Sequence, residues 1–213
     1  MLKSVPFYSN TPDDTHCVQA AFRSILKYFL PDRDFSWAEL EEMSAKVPDM
    51  STWPAQMLLN LNKMGFEITL MEGFDANQFI KNGEAYLKKE FGQEAAEWQI
   101  ANSDIKQERR LYQDLLDSDV TYENLVPELS DIKRYLDQDY LVKVTLNSKR
   151  LNHKSGYVGH SVVVYDIDEQ KLVFHDPGLP AMESRVERLA DFEAAWADPN
   201  VKAKELIAVR YKG

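Results

Sequence analysis

The chain has 213 residues, of which 44% are hydrophobic and 11% aromatic, so it can bury one sizeable core and is not expected to be disordered. Its 35 acidic and 25 basic side chains give a formal charge of −10, which argues against nucleic acid or an anionic membrane as the main partner. The single cysteine excludes an intramolecular disulfide and a metal site built of several thiolates.

The sequence carries no recognisable export or membrane signal. Residues 1–7 lack the long apolar stretch and the small-residue cleavage site of a secretory signal. No window approaches eighteen consecutive apolar residues, the length that a membrane-spanning helix needs. We therefore expect a cytoplasmic protein with no membrane partner, and a reduced thiol fits that compartment.

The first third of the chain is predicted to hold three helices and one strand. Apolar residues recur at helical spacing after Cys17 until Pro31 ends the run. Ser36 and Glu39 have the spacing of a capping box for the second helix, and Thr52 is the expected cap of the third. The predicted elements are an extended segment at 5–9, helices at 17–30, 36–46 and 52–65, and a strand at 66–70.

The middle of the chain differs from the rest in composition. Residues 75–117 are rich in Ala, Glu, Gln, Lys and Leu and contain only two glycines and no proline, which predicts helices broken near Gly83 and Gly92. We expect one domain, 1–213, in which residues 75–127 form a helical insertion or subdomain. This segment is predicted to serve as a lid or substrate platform, or simply as structural packing.

The last third of the chain is predicted to be mainly strands. The hairpin is expected to turn over Asp168-Glu169-Gln170, which separates two apolar runs. Because helices dominate the first two thirds and antiparallel strands the last, the predicted fold class is α+β. The predicted elements are a helix at 128–138, strands at 140–146, 161–167 and 172–175, a helix at 189–197 and a strand at 206–210.

Cys17 is the candidate nucleophile because it lies at the start of a predicted helix. The thiolate is the reactive form of cysteine, and the free N–H groups and dipole of a helix N-terminus stabilise negative charge there. The alternative is that Cys17 is a small buried apolar residue, which is the commonest role of an isolated cysteine.

His160 and Asp176 are the candidate partners of this thiol. His160 leads into a run of valines and so lies at the mouth of a buried strand, whereas Asp176 closes the next strand. An imidazole can take the proton of a cysteine, and a carboxylate can orient that imidazole. Both side chains share a face of the hairpin if its turn has three or five residues, or if a bulge corrects an even turn. The alternatives are a structural histidine and an ordinary turn residue.

Acyl transfer also needs a donor for the oxyanion that forms at the attacked carbonyl. The backbone N–H of Cys17 is available, Asn10 is the candidate side chain, and Gln19 competes with it although it would point away on the helix. His16 is expected at the rim of the site, since neighbouring helical residues do not face each other. His16 and Gly159 are the candidate substrate-binding residues.

A metal site is the weaker interpretation of the histidines. His153, His160, His175 and Asp176 are all possible zinc ligands, but they form no tight i,i+4 pair and no paired short motif. We therefore predict neither a metal nor another cofactor.

Three segments together carry a family resemblance. They are Val5-Pro6-Phe7-Tyr8-Ser9-Asn10 before a Cys-led helix, the run from Gly159 to Val164, and His175-Asp176-Pro177-Gly178 with the later Phe192-Glu193-Ala194-Ala195-Trp196. With these segments the chain resembles the bacteriocin-processing (double-glycine leader) peptidases and their stand-alone relatives. The resemblance covers roughly residues 4–30 and 139–210. It implies a papain-like cysteine peptidase fold with Cys17 as nucleophile, His160 as base and acid, and Asp176 as orienting carboxylate.

The chain departs from that family pattern near the nucleophile. Val18-Gln19 follows the cysteine where the family usually has glycine and often then proline, and the loop before it is one residue longer. Asn10 stands where the family has its oxyanion glutamine, and asparagine is one methylene shorter.

The predicted function is that of a cysteine-nucleophile hydrolase, most simply a peptidase that cleaves an amide bond through a thioester on Cys17. One alternative is an acyltransferase, transpeptidase or isopeptide-processing enzyme with the same three residues. Another is a non-catalytic module that binds a peptide or protein, with its helical middle as the binding surface. The expected partner is a peptide or protein substrate, and the sequence predicts no oligomeric state.

Overall fold

The computed structural model describes residues 3–213, which form one seven-stranded sheet with helices packed on both faces. No helix in this range is long and apolar enough to cross a membrane. The strands are β1 (Phe66–Glu72), β2 (Thr121–Glu123), β3 (Leu141–Asn147), β4 (Gly159–Ile167), β5 (Lys171–Asp176), β6 (Met182–Arg188) and β7 (Glu205–Tyr211). The helices are α1 (Cys17–Phe29), α2 (Trp37–Met43), α3 (Ala55–Lys63), α4 (Ala76–Asn82), α5 (Glu84–Phe91), α6 (Gln93–Asn102), α7 (Ile105–Leu116), α8 (Leu129–Leu136), α9 (Ser148–Leu151) and α10 (Leu189–Trp196).

The strand order of the sheet is β2-β1-β7-β3-β4-β5-β6. β1 and β2 pair in parallel, and the remaining neighbours pair antiparallel. The predicted α+β class is therefore confirmed. β1 comes from the helical first part of the chain and lies against the closing strand β7, so the two parts share one sheet.

Two hydrophobic cores lie on opposite faces of this sheet. Because alternate side chains of a strand point to opposite faces, Leu141 of β3 enters one core while Val142 and Val144 enter the other. Helices α1 to α7 contribute to the first core and α8 to α10 to the second. Three layers result, with the sheet in the middle.

Helix starts follow local rules that the sequence shows. Ser36 caps α2 and Glu39 returns the hydrogen bond, so the predicted capping box is confirmed. The predicted cap of α3 is wrong, since that helix begins at Ala55 with Pro54 in the cap position. The hydroxyl of Thr52 instead accepts a hydrogen bond from Gln19.

Two strands and one α-helix of the structure were not predicted. They are β2, β6 and α9, while residues 5–9 lie outside any helix or strand. β2 and α9 are only three and four residues long, which is too short for a periodic signal. β6 is an edge strand whose side chains are mostly exposed, so it lacks the apolar alternation that predicts strands.

The predicted helices of the middle segment are confirmed as α4 to α7, with breaks at Gly83 and Gly92. An aromatic cluster packs this segment against the rest of the first core. The ring centroid of Trp53 lies 5.2 Å from that of Phe79, and the ring of Phe74 lies 5.3 Å from that of Tyr112. The middle segment therefore shares the first core with Trp53, which precedes α3, and with Phe74, which follows β1.

Glu108 on α7 is buried in this core, and its Oε2 has no hydrogen-bond partner among the described residues. Burial raises the pKa of Glu108 to about 8, although the Trp53 backbone opposes this, so the carboxyl is neutral in the fold at pH 7. The unfolded chain ionises near the ordinary value of 4.5, and stability is therefore lost as pH rises from 4.5 towards 8.

We expect Glu108→Gln to raise the free energy of unfolding by about 1–3 kcal/mol at pH 7, because the amide cannot ionise in the unfolded chain. At pH 4 the gain should nearly vanish. Urea unfolding at both values checks this, with Asp114→Asn on the exposed face of α7 as the matched control. An equal gain at both pH values would contradict the explanation.

Candidate active site

Cys17 is the first residue of α1, at the end of that helix that faces the sheet's strand β4. His16 precedes it in the cap position but makes no side-chain cap hydrogen bond. The partial positive charge of the helix start therefore acts on the thiol. The Cys17 side chain is partly buried and lines a cavity together with His160.

His160 and Asp176 lie together at the same end of the sheet, and both are buried. The Nε2 atom of His160 lies 2.7 Å from Oδ1 of Asp176. This contact leaves Nδ1 as the ring nitrogen that is available to the neighbouring thiol. The three residues that the sequence singled out are thus brought together.

A β-bulge, rather than the predicted three-residue turn, puts His160 and Asp176 on one face. The paired residues nearest the turn are Ile167 and Leu172, and four residues lie between them in the chain. The register then shifts between Val164 and Asp166. This shift by one residue changes which side chains of the two strands share a face, so that His160 becomes a diagonal neighbour of Asp176.

Arg185 on β6 is a residue of the site that sequence reasoning missed. Its Nη1 donates to Oδ2 of Asp176 at 2.9 Å, and its Nη2 donates to Glu187 and to the carbonyl of Leu151. A basic residue on a mostly exposed edge strand gives no pattern that would predict this. The second carboxylate oxygen of Asp176 is thus held by a cation whose side chain is only 10% exposed.

Gly178 allows the turn after β5 to pass close to the pair. Its backbone N–H donates to Oδ1 of Asp176 at 3.0 Å. A Cβ at this position would lie 3.0 Å from that oxygen and 3.3 Å from the ring of His160. Glycine therefore avoids a tight contact here, and Oδ1 receives two donors.

The electrostatics of the site favour a charged Cys–His pair. Burial alone would raise the pKa of the Cys17 thiol, but His160, the Ser161 backbone and Lys143 outweigh it and hold that pKa below its ordinary value. Burial would lower the pKa of His160, but Asp176 and the thiol raise it to about 10. The pKa of Asp176 lies below its ordinary value, since His160 and Arg185 offset its burial.

The side chain of Asn10 is engaged within its own loop. Its Nδ2 donates to Asp14 at 2.7 Å, and its Oδ1 accepts from the backbone N–H groups of Thr11 and His16. Its backbone N–H reaches the carbonyl of Pro177, which ties this loop to the turn after Asp176. An oxyanion role for Asn10 stays a prediction, and it would have to use the second hydrogen of Nδ2.

The competing donor Gln19 is buried and points away from the thiol, as expected from its place on the helix. Its Nε2 donates to the hydroxyls of Ser44 and Thr52, so both hydrogens are engaged. Gln19 links α1 to α2 and to the segment before α3.

His16, which was expected at the rim of the site, is buried in the structure. It is 6% exposed, with Nδ1 at 2.6 Å from Thr11 Oγ1 and Nε2 at 2.7 Å from Glu41 Oε1. Both ring nitrogens are engaged because the turn before α1 folds His16 onto α2. Gly159 does line the cavity, where a Cβ would lie 3.3 Å from the ring of Trp98.

Of the remaining histidines, His175 is held in the fold. Its Nε2 contacts the carbonyl of Val5 at 2.8 Å, and its Nδ1 accepts from the backbone N–H of Ser184. Across residues 3–213, no group of three or more His, Cys, Asp or Glu side chains has the arrangement of a metal site.

The sequence matches no family model and no curated protein. Among solved structures, the chain is similar to one from Bacillus anthracis that is described as a "putative C39-like peptidase". The alignment covers 100% of this chain and 98% of that chain, with 14% sequence identity and a TM-score of 0.47. At this degree of similarity the likeness assigns no activity to the chain.

Proposed function

We propose that this protein is a papain-like cysteine-nucleophile hydrolase that cleaves an amide bond of a peptide or protein through a thioester on Cys17. The observation that carries the proposal is the contact of His160 Nε2 with Asp176 beside a thiol at a helix start. The lowered pKa of Cys17 and the raised pKa of His160 agree with a thiolate–imidazolium pair.

The proposed cycle has two halves. The thiolate attacks the substrate carbonyl, and the imidazolium of His160 then gives its proton to the departing amine, which leaves a thioester on Cys17. In the second half neutral His160 takes a proton from water, the resulting hydroxide attacks the thioester, and the thiolate and imidazolium are restored. Asp176 stabilises the imidazolium throughout.

The oxyanion of each half needs donors at the helix start. The backbone N–H of Cys17 is one such donor, because the first four N–H groups of a helix have no partner inside it. Asn10 is the proposed second donor. The resemblance to double-glycine leader peptidases supports a peptide substrate, and the same three residues would equally serve an acceptor other than water.

The test of the proposal is the pH dependence of Cys17 alkylation by iodoacetamide. A single cysteine makes the signal unambiguous. We expect the rate to reach its plateau at a pH clearly below that of a free cysteine, whose pKa is about 8.5. His160→Ala should raise the thiol pKa towards that value, because it removes the imidazolium. His153→Asn, at an exposed histidine, is the matched control and should change nothing.

A thiol that reacts only after unfolding, or that titrates like a free cysteine in the folded protein, would overturn the proposal. The non-catalytic binding module would then be the better description of the chain.

A further inference from the structure

The cavity beside Cys17 has a volume of about 120 Å³, several times what one water molecule needs. One row of residues across four strands contributes to its lining, namely Ser161 on β4, Thr145 on β3, Glu205 on β7 and Glu72 on β1. Each is the direct cross-strand partner of the next. With three strand spacings the row spans roughly 14 Å, so the cavity extends well away from the thiol.

Between Cys17 at one end and Glu72 at the other, the walls of the cavity are largely aromatic. Aromatic faces attract cations and also accept the apolar stem of a long side chain. The aromatic residues that line the cavity are Trp53, Phe74, Phe91, Trp98, Tyr112 and Tyr157.

Glu72 lies at the far end with an unsatisfied carboxyl. It is 3% exposed, its Oε2 accepts from the Tyr112 hydroxyl at 3.3 Å, and its Oε1 has no hydrogen-bond partner among residues 3–213. An unpartnered buried polar atom is costly, and in a native protein it calls for an explanation, of which a bound ion is one.

The two lysines near this end of the cavity, Lys143 and Lys202, are each paired with a carboxylate other than Glu72. Lys143 is fully buried, and its Nζ lies 2.7 Å from Oε1 of Glu205 and 2.6 Å from the hydroxyl of Thr145. No salt bridge within the described part of the chain reaches Glu72. Lys202, which also lines the cavity, is paired with Glu90 at 2.6 Å.

We propose that this cavity binds a basic side chain of the substrate, an ammonium or guanidinium on a flexible apolar stem, with Glu72 as its counter-ion. The location of the attacked carbonyl at Cys17 rests on the proposed function, whereas the binding of the cation does not. Bound there, the ligand and Lys143 balance the two carboxylates of Glu72 and Glu205, and the stem lies between aromatic rings.

Binding should release a proton from Glu72. Burial and the neighbouring Glu205 raise the pKa of Glu72 well above its ordinary value, with Tyr122, Tyr112 and Lys143 opposing. These surroundings thus favour the neutral form of the carboxyl. An incoming cation favours the carboxylate, so the proton leaves to solvent as the ion pair forms.

The test compares two ligands in the Cys17→Ala protein by calorimetry, Nα-acetyl-lysine amide and Nα-acetyl-norleucine amide, which differ only in the terminal ammonium. We expect the lysine compound to bind at least tenfold more tightly and to release protons, which calorimetry in two buffers of different ionisation enthalpy measures. Glu72→Gln should abolish both effects, whereas Glu169→Gln, at an exposed turn position, should change neither.

Equal binding of the two compounds, or unchanged preference in Glu72→Gln, would overturn the cavity proposal even if the thiol proves reactive. Preferential binding of the lysine compound to a protein whose Cys17 is inert would overturn only the hydrolase. The ligand comparison needs no substitution at Glu72, so it stays decisive if Glu72→Gln does not fold.

Discussion

The Cys17→Ala variant is expected to lose all amide-bond hydrolysis while keeping its fold. No other cysteine exists in the chain, and neither His160 nor Asp176 can form the thioester in its place. Removing the nucleophile of a serine protease with a catalytic triad costs on the order of 10⁶ in kcat. The effect on stability should be small, because Cys17 is partly exposed and α1 is anchored by the buried Phe22 and Ile25.

The measurement is turnover of a quenched-fluorescence peptide library by the native and variant proteins, with circular dichroism and thermal unfolding as the check on the fold. Cys17→Ser is the matched control, since it restores the polar atom but not the low pKa of a thiol. It should be as inactive as Cys17→Ala. Turnover that survives in either variant would assign the activity to another group and remove Cys17 from the mechanism.

The parts of the fold that sequence reasoning predicted correctly are governed by local chemistry. The capping box of Ser36 and Glu39 fixes the start of α2 within four residues of sequence, and Gly83 and Gly92 end helices because each has a positive φ. The three candidate site residues were singled out because each lies near the start or end of its own element in the sequence, and the structure brings them together.

The missed parts depend on pairing between distant segments. Arg185 acquires its place beside Asp176 only when β6 joins β5, and Glu72 meets Glu205 only when the first strand pairs with the last. The bulge that sets His160 against Asp176 is equally invisible, because one extra residue changes the face without changing the apolar pattern.

The Asp176→Asn variant is expected to lose up to about 10⁴ in kcat, which is the loss that the corresponding change causes in a Ser-His-Asp site. The structure gives the reason. Arg185 holds Oδ2, while His160 and the Gly178 N–H share Oδ1. An amide has one oxygen, and the cation of Arg185 competes best for it. The NH₂ group then faces Nε2 of His160, which forces the proton onto Nδ1 and leaves no acceptor for the thiol.

Two further variants distinguish a change of the His160 tautomer from a loss of structure, and the first changes Glu187, the other carboxylate bound to Arg185. Glu187→Gln removes a partner of Arg185 at a similar distance without touching His160, so it should leave kcat within a few fold of the native value. Adding Arg185→Met to Asp176→Asn removes the competing donor. The amide oxygen is then free to accept from His160, and part of the lost kcat should return together with the low thiol pKa. If Glu187→Gln lowers kcat as much as Asp176→Asn, Asp176 acts only by holding Arg185 in the fold. If the double variant stays as inactive and its thiol pKa stays high, the amide orientation does not explain the loss.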